Sequence, residues 1–157
     1  MINLLQAGAQ NAKIVAFLRI AIGLIWFSTF VRRIAVPNFQ ERIESMASGS
    51  SLLPDVLMTL AAENWEIIYF GVLFIEILTS ISLIFGIFAK GGALLATFDG
   101  ILTGMAGFGL GPVDLIIPWS VAAISLFLVV FTHPGLFYGI DQRLKGKNLP
   151  VILKTLI

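Results

Sequence analysis

Four long apolar stretches constrain this chain more than any other feature. They cover about residues 14–33, 67–89, 92–110 and 113–132, broken by only a few charges. A bilayer core is ~30 Å thick and a helix rises ~1.5 Å per residue, so about 20 apolar residues span it. The expected fold is therefore an all-α membrane protein: a four-transmembrane-helix bundle forming one domain over residues 1–157. Composition agrees, with 58% hydrophobic and 12% charged residues, against about 25% charged in a soluble domain.

Composition also limits the chemistry. Net charge is +1, so no nucleic acid partner is implied. With no cysteine, the chain itself has no thiolate chemistry, no cysteine-ligated zinc and no cysteine-bound iron–sulfur cluster. Its one histidine, His133, reads as a helix-end or interface residue rather than a ligand. No metal or haem is expected on this chain alone.

Residues 1–13 read as a short amphipathic lead. The first apolar run ends in Phe30-Val31-Arg32-Arg33 rather than in small residues suited to cleavage, so it reads as a retained span. The connection to Glu66 is too long and too apolar for a plain loop. It predicts one or two short helices on the membrane surface, with Trp65 and Tyr69 at the interface. Lys90-Gly91-Gly92 predicts a tight hairpin between the second and third spans, and Gly109 to Pro112 the next turn. Pro112 and Asp114 suit the start of the fourth span, and Pro118 a kink within it. The basic tail from Leu136 is expected along the membrane surface. Lys13, Lys90, Arg143, Lys145, Lys147 and Lys154 on one side outweigh Arg32, Arg33 and Arg42 on the other. The expected localisation is therefore multi-pass in the plasma membrane, with both termini cytoplasmic.

Three ionisable residues fall inside spans: Arg19, Glu76 and Asp99. Each costs ~2.5–3.5 kcal/mol at the bilayer centre on insertion scales, so they should face the bundle interior. Depth counted from Lys13 and Lys90 predicts an Arg19–Asp99 pair, and sets Glu76 nearer the other face, within reach of Arg32 or Arg33. Such groups either cross-link helices or mark a functional site that exchanges protons or bonds a quinone head group. Arg32 and Arg33 beside Trp26 form a second constellation. Guanidinium groups fit oxyanions, and equally snorkel as a stop-transfer pair. Gly92, Ala96, Gly100 and Gly104 recur every four residues, a small-residue stripe that lets a neighbouring helix approach closely.

Leu18-Arg19-Ile20-Ala21-Ile22-Gly23-Leu24-Ile25-Trp26 followed by Arg32-Arg33 resembles the opening of the DoxX/DoxD family of four-helix membrane proteins. Phe74-Ile75-Glu76 and Leu83 to Lys90 resemble that family's second helix, with its glutamate and its glycine before a basic residue. Gly135-Leu136-Phe137-Tyr138-Gly139-Ile140-Asp141 and the long first connection are similar to the DoxD branch. The resemblance implies the membrane subunit of an archaeal thiosulfate:quinone oxidoreductase with a small DoxA-like partner. It would couple thiosulfate to tetrathionate with membrane quinone as acceptor. The resemblance also implies association with a haem–copper terminal quinol oxidase; the alternative, which the lack of cofactor ligands and the small-residue stripe favour, is a non-catalytic accessory subunit of that respiratory-chain complex. Arg32, Arg33 and Trp26 would hold the anion, and Glu76, Asp99 and Arg19 would serve the quinone.

Overall fold

The computed structural model describes residues 2–36, 38–49, 51–132, 134–136 and 138–144, with side chains described from Ala12 onward except those of Leu136 and Leu144. The described residues form helices and no strand. These are α1 (Ile2–Ala35), α2 (Phe39–Ser48), α3 (Asp55–Glu63), α4 (Trp65–Phe85), α5 (Ala89–Ala106), α6 (Pro112–Phe131), a 3-10 turn at Pro134–Leu136 and α7 (Asp141–Leu144). Among the described residues, three segments are long and apolar enough to cross a membrane. They are Ala12–Ala35, Trp65–Phe85 and Pro112–Phe131, with mean hydropathies of 2.2, 2.3 and 2.2.

Their apolarity is turned outward. Phe17, Ile67, Phe70 and Phe131 are each at least two-thirds exposed, whereas Arg19 and Glu76 are fully buried and Asp99 nearly so. Water would make that arrangement unstable, and hydrocarbon suits it. The core joins all four long helices through Ile22, Trp26, Leu83, Ala93, Ala96, Val121 and Leu128.

The third apolar stretch became α5, which is not among those three segments. Lys90, Asp99 and four glycines dilute its apolar content. Its small residues face inward and let α5 pack most extensively on α6. A Cβ at Gly100 would stand 2.9 Å from the Pro118 carbonyl oxygen, and one at Gly104 2.7 Å from Trp119 Nε1. The stripe is thus a packing surface, as its spacing suggests.

Several boundaries differ from the sequence expectation. The lead is helical from Ile2 and continuous with the first span. The hairpin expected at Lys90-Gly91-Gly92 turns earlier, at Gly86 to Phe88, and those three residues lie inside the first turn of α5. Gly86 sets that turn. It adopts left-handed backbone (φ 65°) and its N–H donates to the Ser82 carbonyl, a helix stop that glycine makes without a Cβ penalty. The long connection holds two short helices, α2 and α3, as expected.

The described part of the tail folds back against the bundle. Ile140 N–H donates to the Phe85 carbonyl at 3.1 Å and Asp141 N–H to the Gly86 carbonyl at 2.9 Å. His133 and residues 145–157, where a helix-end role and a surface-lying basic tail are expected, fall outside the described residues.

Candidate functional site

The buried ionisable residues divide into two groups at different levels of the bundle, one at the α4–α5 turn and one about halfway along α4 and α5. Gly23 on α1 faces Leu83 and Ile84 on α4, so Arg19, four residues earlier, is level with the α4–α5 turn. Gly92 on α5 faces Ser82, so Asp99, seven residues on, is level with Glu76. At helical rise the two levels are roughly 17 Å apart.

The expected Arg19–Asp99 pair is therefore not formed. Depth counted from Lys13 fails because α1 runs past the turn, so Lys13 and Lys90 are not at the same height. Arg19 instead secures the folded-back tail. Its Nη1 donates to the Pro134 carbonyl at 2.7 Å and its Nη2 to the Tyr138 carbonyl at 3.3 Å. Beside it, the Asp141 carboxylate accepts the N–H groups of Phe88 at 2.7 Å and Ala89 at 2.9 Å, capping α5 from a distant part of the chain. Burial pushes the Asp141 carboxyl above the ordinary aspartate value, while those two N–H groups and Arg19 pull it back.

The other group does converge. Arg33, near the end of α1, donates Nη2 to Glu76 Oε1 at 2.7 Å, and Nε to Oε1 at 3.1 Å and Oε2 at 3.2 Å. The Glu76 side chain has no exposed surface and that of Arg33 is 22% exposed. The Arg33 guanidinium also lies 4.9 Å from the Phe39 ring centre, a cation–π contact that anchors the start of α2 over the site. Asp99 is close enough for the charges of both Glu76 and Arg33 to act on it. It is 6% exposed, and among the described residues its Oδ2 has no hydrogen-bond partner.

Two cavities meet here. One, of about 270 Å³, runs beneath α2 and α3; its polar wall is Arg33, Arg42, Asp99 and Thr103, and the rest is apolar, including Ile43, Met58 and Leu102. The other, of about 260 Å³, is lined by Arg32, Arg33, Asn38 and Arg42 with Thr29 and Asp114. Arg33, Phe39, Arg42 and Thr103 belong to both walls. Arg42 Nη2 is held to Asp114 Oδ1 at 2.6 Å, tying α2 to the start of α6. The first cavity suits a single ring with an apolar body, being just below the ~300–1,000 Å³ of small-molecule sites. The second, with three guanidinium groups on its wall, suits a small oxyanion.

Of the residues anticipated from sequence, Glu76, Asp99, Arg32 and Arg33 come together, while Arg19 and Trp26 do not. Trp26 is 7% exposed within the core and lines neither cavity. Its place four residues after Ile22 puts it on the inward face of α1, whereas Arg32 and Arg33 sit at the helix end. Sequence reasoning missed Arg42, Asn38 and Thr103. In the sequence Arg42 enters only the charge balance that sets orientation; the available signal is its place on α2, whose apolar Phe39, Ile43 and Met46 recur at helical spacing. Among the described residues no group of three or more His, Asp or Glu side chains could hold a metal. The chain matches no family model, no curated protein and no solved structure.

Proposed function

We propose that the chain is a quinone-linked membrane subunit of a respiratory complex, a thiosulfate:quinone oxidoreductase. In this reading α5 crosses the membrane with the other three long helices, both termini are cytoplasmic and the two cavities open toward the outer side. The shared wall of the two cavities carries the proposal. An oxyanion beside Arg32, Arg33 and Arg42 would be separated from a ring beneath α2 only by side chains common to both sites.

The balanced reaction couples two thiosulfate dianions into one tetrathionate. The two electrons released, with two protons, reduce one quinone to quinol. Arg32, with the N–H groups of Arg42 that its Asp114 pair leaves over, holds the dianions against mutual repulsion, and Asp99 and Arg33 face the ring, with Glu76 holding Arg33 from behind. The small DoxA-like partner completes the anion side, and lipid surrounds the rest.

Thiosulfate-dependent quinone reduction by the complex purified from native membranes tests this reading. Asp99→Asn and Arg42→Ala are expected to lower the rate at least ~10-fold with the complex intact. Unchanged rates in both overturn the site assignment. One observation favours a non-catalytic accessory subunit of a haem–copper quinol oxidase instead. The three-contact Arg33–Glu76 pair is closed on itself, as in a packing cross-link. Copurification with such an oxidase, without thiosulfate activity, selects that reading.

A further inference from the structure

The cavity beneath α2 and α3 bears three ionisable side chains on its wall, and two of them are already engaged. Arg33 gives Nε and Nη2 to Glu76, and Arg42 gives Nη2 to Asp114. Asp99 differs: it is 6% exposed on the cavity wall, and among the described residues its Oδ2 has no donor. A buried carboxylate oxygen without a donor costs the full desolvation of that group, so a ligand that supplies one gains more than an ordinary hydrogen bond. The remaining wall, with Ile43, Leu53, Met58, Ile68, Val72 and Leu102, admits a neutral apolar body and disfavours a bare ammonium. What the site lacks is a neutral donor on an apolar frame.

We propose that this cavity discriminates between the two redox forms of its ring ligand, binding the hydroxyl-bearing form more tightly through a hydrogen bond from a ring O–H to the Asp99 carboxylate on its wall. This rests on the quinone reading above and adds which form the site prefers. A ring carbonyl at the same place would set acceptor against acceptor, and sites that bond a hydroxyl reject analogues lacking it strongly. Tighter binding of the hydroquinone also raises the reduction potential of the bound couple, by ~30 mV per tenfold preference. That favours electron delivery to the quinone.

The test uses the full chain with its complex in lipid nanodiscs, titrated anaerobically with a short-tailed benzoquinone and with its hydroquinone. The hydroquinone is expected to bind at least ~10-fold tighter, with that ratio lost in Asp99→Asn, whose amide can face a carbonyl. Equal binding of both forms, or tighter quinone binding, overturns the inference while leaving the quinone site standing. A ratio unchanged in Asp99→Asn removes Asp99 from the discrimination and equally overturns it. Binding of neither form overturns both this inference and the reading beneath it.

Discussion

Glu76 has no exposed side-chain surface, and among the described residues Arg33 is the cation that meets its charge. Removing one partner of a buried pair leaves the other charge uncompensated, at ~3–5 kcal/mol. Glu76→Gln should fall at the lower end of that range, because the 22%-exposed Arg33 side chain can still find water. Denaturant unfolding in detergent measures it, and the double variant with Arg33→Met should lose less than the two single losses combined. At the α4–α5 turn, Gly86→Ala should cost more than the ~1–2 kcal/mol of left-handed backbone. Its Cβ would also stand 2.5 Å from Arg19 Nη1. Asp141 gives a pH dependence. Its folded-state pKa lies above the ordinary value, so between the two values the native state keeps a proton that the unfolded chain has released. Stability therefore falls as pH rises across that window. Thermal midpoints followed upward from about pH 4 should show this slope, and Asp141→Asn should flatten it.

At the scale of elements, α2 is the cover of the site, and it is held by few contacts. Phe39 meets Arg33 and Tyr69, and Arg42 meets Asp114 through side chains about one-third exposed, 35% and 31%. An ion pair so exposed contributes only ~0–1 kcal/mol and weakens in salt. Arg42→Ala should therefore leave the global unfolding midpoint nearly unchanged. Amide hydrogen exchange over residues 39–49 should accelerate several-fold, because that segment opens locally at low cost. Unchanged exchange would mean that the aromatic contacts alone hold α2. The two short helices were legible from the length and apolar content of the connection. Their position over Asp99 was not, because it depends on where α1 ends relative to where α6 begins.

At the scale of the whole molecule, the crossing number turns on α5. Its 18 residues extend ~27 Å, close to a bilayer core, and it lies alongside α4 and α6. The absence of native cysteine makes labelling clean. Single cysteines at Ile87, in the α4–α5 turn, and Leu110, before α6, should react with an impermeant maleimide from opposite faces of sealed vesicles. Ser48→Cys should react from the same face as Leu110→Cys. Labelling of Ile87→Cys and Leu110→Cys from one face would leave α5 as a helix that does not cross, and would place the termini on opposite sides.

The apolar run lengths by themselves determined that the chain is helical and has segments able to cross a bilayer, since backbone groups in hydrocarbon must bond within the segment. The same lengths marked Arg19, Glu76 and Asp99 as inward-facing, because lipid penalises the outward alternative. The tertiary structure alone decided which of them meet. Pairing depends on the relative height of adjacent helices, and close packing at Gly23 and Gly92 sets that height with no trace in local periodicity. A displacement of roughly 17 Å, about three helical turns, separates the tail anchor at Arg19 from the buried carboxylate at Asp99.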